Sequence, residues 1–217
     1  NGAIPNYWIY DREGKVVNRF SPSDPTVKCR SEDIDAAVVA LLKKKAKAHL
    51  SLKQFKEAND AHTKATLSAT DNINHYNELA NQEAKRDMGG SGGGVIMASV
   101  KMASSTIICR STFDSVSEWL ATVKRERPND MSMQLSAGVL MGAVREICAM
   151  TFHMDGMFEE MMISTYGGAQ IKTKQLNKAI ERFTEAIKYM QAFRPAYVSR
   201  AKAYRELGRV DLALADD

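Results

Sequence analysis

The 217-residue chain is 44% apolar and 26% charged with a net charge of +4, the balance of a soluble globular protein forming one compact unit or two small ones. Its longest unbroken apolar run, Ala36 to Leu42, is far short of the roughly 20 residues that cross a bilayer, and no basic-then-apolar leader stands before it, so neither a membrane partner nor secretion is expected. Cys29, Cys109 and Cys148 are an odd number at wide spacing, which excludes a disulfide framework, a CxxC pair and a zinc cluster, and points to reduced thiols in the cytoplasm.

Residues 3–44 predict strand, turn, strand and helix. Tyr7-Trp8-Ile9-Tyr10 is aromatic and β-branched, Asp11 to Lys15 turns with Gly14 supplying the awkward backbone angle, and Val16 to Phe20 returns. Ser21-Pro22-Ser23-Asp24-Pro25 breaks the strand. Ser31, followed by Glu32 and Asp33, opens a helix with Ile34, Ala37, Val38, Leu41 and Leu42 spaced for one buried face. This order resembles the C-terminal half of a thioredoxin-like domain, with Ile4-Pro5 where the family has its cis proline, then a strand, a D-x-x-G-K hairpin and a last helix, Glu32 to Lys44. The resemblance implies a small ββα fragment over 1–44. It carries over no redox chemistry, because the half with the active-site cysteines is absent. Two strands alone also leave open sheet edges that something must cover.

From residue 39 onward a spacing sets in: Leu42, Ala46, Phe55, Ala58, His62 and Ala65, with Tyr76 and Ala80 following Leu42 and Ala46 at one constant interval, a weaker copy of the period over 39–87. It predicts a helical hairpin and a half-repeat over 45–87. Met88-Gly89-Gly90-Ser91-Gly92-Gly93-Gly94 then predicts a flexible linker, lacking the lysine and the spacing of a phosphate loop. Within 95–159, Ser115-Val116-Ser117-Glu118 reads as a capping box opening a helix that Pro128 closes, and Asn129 or Asp130 caps another. Ten of the twelve methionines fall between Met97 and Met162, either as core filling or as an adaptable apolar surface.

The period is fullest at the end. Ala179 and Ala213 are separated by that same interval, as are Gly167 and Ala201, Ile163 and Tyr197, and Leu176 and Val210. Ala179, Phe183 and Ala186 share one helical face, where small residues admit a neighbouring helix and rings fill the space between. Lys178 to Ile187 and Tyr197 to Tyr204 resemble the tetratricopeptide repeat, a helix–turn–helix unit. The likeness implies one complete repeat over 160–193 and most of a second over 194–217. Because the pattern stops inside a helix and begins at Asn1, the chain is expected to be a piece of a longer protein. The fold expected is therefore mainly α with a little β: tetratricopeptide-type hairpins, a ββα fragment at the front and a central helical segment.

Catalysis finds no constellation. His49, His62, His75 and His153 are isolated, there is no HExxH or G-x-S-x-G, and neither cofactor nor metal is expected. Binding is better served. Lys172 to Arg209 holds ten Lys or Arg against Glu181, Glu185 and Glu206, a field that either draws an acidic partner or belongs to solvated helix faces. Lys202 and Arg205 share a face, Lys172 sits on the helix before, and with Ser199 these are the candidate partner-binding residues. The spelling is similar to that of cytosolic co-chaperones of the Hip type, whose family clamps acidic chaperone tails with Lys and Asn. The resemblance implies a protein or acidic-peptide partner such as a heat-shock chaperone tail. Here Ser199 stands in place of the clamp Asn, Gly167-Gly168 in place of Gly-Asn, and Ser164 in place of Lys. The alternative is a fragment of a thioredoxin-linked thiol oxidoreductase. Nucleic acid is not expected, since the aromatics of 183–204 mostly occupy repeat core positions.

Overall fold

A computed structural model describes residues 7–10, 15–20, 31–86 and 93–217. They form β1 (Tyr7–Tyr10), β2 (Val16–Phe20), α1 (Ser31–Ser51), α2 (Phe55–Arg86), α3 (Gly93–Glu126), α4 (Met131–Tyr166), α5 (Ala169–Tyr189), α6 (Arg194–Glu206) and α7 (Val210–Asp216). The protein is thus mainly α, with one two-stranded sheet among the described residues. It divides into two compact units, residues 1–69 and 70–217, and α2 passes from the first to the second.

In the first unit β1 and β2 pair antiparallel, Tyr7 against Phe20 and Trp8 against Arg19, with an irregularity between Ile9 and Tyr10. The predicted turn at 11–14, Ile4-Pro5 and the breaker at 21–25 lie outside the described residues. α1 does not stop at Lys44 but runs to Ser51, because Lys43, Lys44, Lys45 and Lys47 are good helix formers interleaved with alanine. Its end is a Schellman turn: the Gln54 amide donates to the His49 carbonyl at 2.9 Å and the Lys53 amide to the Leu50 carbonyl at 2.9 Å. Lys53 takes φ of +57°, where glycine is the relaxed residue. α2 then continues unbroken to Arg86, so the expected hairpin and separate half-repeat over 45–87 give way to one hairpin and a 32-residue helix. No Gly or Pro interrupts that stretch.

The second unit stacks helices in chain order: α3 on α4, α4 on α5, α5 on α6 and α6 on α7, with a lighter contact between α4 and α6. Its main core joins Ile73, Cys109, Val144, Phe152, Leu176, Phe183 and Ala203, and a second cluster gathers Ala80, Ala84, Ala98, Met102 and Phe158. Buried polar bonds pin α2 in place here, Asn77 Nδ2 donating to Thr151 Oγ1 at 2.9 Å and Ser105 Oγ to the Ile73 carbonyl at 3.4 Å. Ala179 and Ala213 are fully buried, as the small-residue pattern requires.

Several expected boundaries move. Gly93 and Gly94 belong to α3, not to the linker; 88–92 lies outside the described residues. The Ser115–Glu118 motif lies well inside α3, which begins at Gly93, so its hydroxyls cap nothing. Asp130 does cap α4, its Oδ1 accepting from the Met133 amide at 3.0 Å. The helix–turn–helix expected over 160–193 is recast: 160–166 finishes the long α4, Gly167-Gly168 breaks the chain, and 169–189 is a single helix. Two adjacent glycines cost a helix about 2 kcal/mol relative to alanine, enough to place the break there. Residues 194–217 do form helix, turn and helix, with Gly208 at φ +72° in the turn.

One helix, Met131–Thr165, is long and apolar enough to cross a membrane by length and composition. A search for unbroken apolar runs passes over it because Gly, Ser and Thr, the pair Arg145-Glu146 and the acidic residues Asp155, Glu159 and Glu160 all interrupt the pattern. In the fold it is the helix on which both α3 and α5 pack. The methionines divide: Met102 and Met141 are buried, whereas Met97, Met131, Met150, Met157 and Met161 are exposed.

A close approach occurs at Gly156 of α4, where a methyl group would stand 2.7 Å from Phe183 Cδ1 and overlap the ring. By contrast, nothing lies within 4 Å of a methyl placed at Gly138 on the same helix. Gly156→Ala is therefore predicted to lose about 1–2 kcal/mol, overpacking outweighing the gain in helix propensity, while Gly138→Ala gains up to about 1 kcal/mol. Urea unfolding of both variants checks the opposite signs.

Candidate functional site

The last turns of α4 present polar groups to two neighbours. Asp155 and Glu159, one turn apart, face α5, where Arg182 Nε lies 2.8 Å from Asp155 Oδ2 and Lys178 Nζ 3.5 Å from Glu159 Oε2. The two pairs step in opposite directions along antiparallel helices, forming a ladder. His153 and Glu160, two turns apart, face α6: His153 Nε2 lies 3.0 Å from Ser199 Oγ and Glu160 Oε2 3.6 Å from Lys202 Nζ. A further pair, Lys172 with Glu206 at 3.1 Å, ties α5 to α6. The line along which α6 meets α4, called the α4–α6 trough, thus carries a His–Ser contact and two Lys–Glu pairs.

This arrangement locates each predicted binding residue. Lys202, Lys172 and Ser199 lie along the trough, but both lysines already hold carboxylates of this chain, Glu160 and Glu206. Arg205 pairs with Asp217. The basic surplus of 172–209 is therefore partly matched within the fold, by residues such as Asp155, Glu159 and Glu160 that lie before that segment. Arg200 is a structural clamp: Nε and Nη2 grip both Asp216 oxygens at 2.7 and 2.6 Å, and Nη1 donates to Thr184 Oγ1 at 3.0 Å, joining α5, α6 and α7. Read from the sequence, His153 is an isolated histidine, and neither Asp155 nor Glu160 is picked out as a binding residue. The two-turn spacing of His153 and Glu160 and the one-turn spacing of Asp155 and Glu159 on a single helix were the available signal.

Burial sets the local electrostatics. The Asp155 carboxyl is pushed up to about 6 by desolvation, which Arg182 only partly offsets and Glu159 reinforces. Arg182 sits close to Oδ2 without the alignment of a hydrogen bond, so that oxygen is unsatisfied among the described residues. Glu160 is raised by burial against the opposing pull of Lys202. His153, tilted on the Phe183 ring at 5.5 Å and edge-on to Phe193 at 5.6 Å, is lowered by burial against a backbone bond to Pro195.

A Ser–His contact invites comparison with hydrolases. Ser199, however, stands mid-helix, where neighbouring amides are committed to the α6 ladder and cannot form an oxyanion hole. Cys109 and Cys148 are both fully buried, and the hydrogen bond between them, with desolvation, drives the Cys148 thiol far up and away from the reactive thiolate. Cys29 lies outside the described residues. Among those described, no group of three or more His, Cys, Asp or Glu is placed to hold a metal ion. The chain matches no protein-family model and no curated protein.

The Asp155 shift predicts a pH dependence. A carboxyl raised from 3.8 to about 6 on folding contributes stability in full below its ordinary value and loses it as pH climbs through about 6, a change of about 3 kcal/mol. Asp155→Asn cannot titrate. Denaturant unfolding between pH 4 and pH 7.5 is expected to show the variant gaining on the parent by that order across the interval; a pH-independent gap would refute the buried, raised carboxyl.

Proposed function

We propose that the chain is a non-catalytic interaction module that takes a peptide or protein partner along the α4–α6 trough, in the manner of a tetratricopeptide-type scaffold or co-chaperone adaptor. The observation that carries the reading is the chain-order stacking of α3 through α7, which leaves a polar strip of His153, Ser199, Glu160, Lys202, Lys172 and Glu206 along one side. Helices stacked on their chain neighbours form extended surfaces suited to holding another chain. An acidic partner binds here by exchange: its carboxylates take Lys202 and Lys172 from Glu160 and Glu206. Such a site is salt-sensitive, and its own acidic residues set the threshold for entry.

The alternative, a fragment of a thioredoxin-linked oxidoreductase, draws support from the order β1, β2, α1. The buried, mutually hydrogen-bonded Cys109 and Cys148 weigh against thiol chemistry by the described residues.

Fluorescence anisotropy with a labelled Asp/Glu-rich peptide ending in a free carboxylate tests the exchange. Glu160→Gln is expected to tighten binding about five- to tenfold by freeing Lys202, and Lys202→Ala to abolish it. Absence of binding at millimolar peptide, or binding indifferent to Lys202→Ala, would count against the proposal.

A further inference from the structure

The turn joining α1 to α2 carries a concentration of charge that the trough does not use. Residues 43–56 hold six lysines and no acidic residue. Lys44, Lys47, Lys53 and Lys56 are exposed, and no ion pair engages them among the described residues. At the tip stands Leu52, 68% exposed. Lys47 lies about 7 Å and Lys44 about 12 Å along the helix axis from it, at 1.5 Å per residue, so their fields reach the tip within one to two Debye lengths in physiological salt.

The tip is also held by local hydrogen bonds. Besides the two Schellman bonds, His49 Nδ1 and Gln54 Oε1 meet at 2.7 Å and Ser51 Oγ donates to the Ala48 carbonyl at 2.8 Å. Within this frame Lys53 holds a left-handed backbone angle that favours glycine, so a charge is held at the tip where an uncharged residue would fit with less strain. Lysines near a helix C-terminus also complement its dipole, but that accounts for neither the exposed leucine nor the lysines at 53 and 56, beyond the end of α1. The acidic residues nearest in sequence, Glu57 and Asp60, line a hollow between α1 and α2 together with Lys45 and Lys64, and form no ion pair with the other four among the described residues.

We infer that this tip docks on an anionic lipid bilayer, its lysines lying over the headgroups and Leu52 entering the interface. Clusters of four to eight lysines beside an apolar side chain are what a negatively charged leaflet recognises, and a single leucine favours a bilayer over a nucleic-acid backbone, which offers it nothing apolar to enter. Such docking is peripheral, independent of any span and of the trough, so it stands or falls apart from the peptide-binding reading.

Flotation of the full chain with vesicles of phosphatidylcholine alone, or of phosphatidylcholine mixed with phosphatidylserine, tests it, with a single-stranded RNA as competitor. Binding is expected only to the anionic vesicles, weakening as salt is raised from about 50 to about 500 mM. Lys44→Gln/Lys47→Gln and Leu52→Asp are each expected to lower the partition at least tenfold, at about fivefold per lysine. Lys53→Gly is the decisive variant: it relaxes the backbone and raises the melting temperature while lowering vesicle binding about fivefold, a combination that misfolding cannot produce. Equal binding to both vesicle types, no binding, indifference to these substitutions, or displacement by RNA with Leu52→Asp unaltered would each overturn the inference.

Discussion

The second unit is organised by one close approach. Gly156 lets the Phe183 ring lie directly on the α4 backbone, and the polar pairs of the α4–α5 seam flank that contact. The ion pairs of Asp155 with Arg182 and Glu159 with Lys178 are in register because the seam is. His153 is sandwiched between Phe183 and Phe193 for the same reason, and it reaches Ser199 only because α6 lies against both α5 and α4. A methyl group at 156 would overlap the ring, so the seam would have to shift to admit it.

On the proposed reading, the charge arrangement decides what kind of ligand the trough would admit. A bare row of lysines would attract any acidic chain. Here each trough lysine is held by a carboxylate from another helix, so under the proposed function a ligand would gain affinity only by offering a better-placed acceptor than Glu160 or Glu206. Selectivity would then come from displacement rather than from net charge. Burial adds to this, since Glu160 and Asp155 are both costly to ionise where they stand.

Much of the helical content was legible from local signals. Asp130 announced α4, and Ala179 and Ala213 announced their buried faces. What local signals could not supply was continuity. Ser115 to Glu118 spells a helix start, yet helix-compatible residues precede it back to Gly93, and a cap has meaning only where a helix is free to begin. The repeat spacing was likewise real at 194–217 but misplaced the turn upstream. Gly167 falls where the repeat wants a small residue inside a helix, and with Gly168 beside it the pair became the break instead. The small residue that does face Phe183 is Gly156, further back along the chain, in a segment where no repeat pattern was visible. The trough charges escaped for a related reason: their partners come from α4, outside the periodic part of the sequence.

Hydrogen exchange across α4 and α5 tests the seam most directly. The account predicts that amides around Gly156 and around Ala179 to Ala186 exchange slowest in the second unit, with a sharp fast point at Gly167-Gly168 separating two protected helices. Unbroken protection from Ile163 through Thr173, as a repeat helix spanning those residues would give, would contradict it. So would exchange at Phe183 as fast as at the α7 terminus.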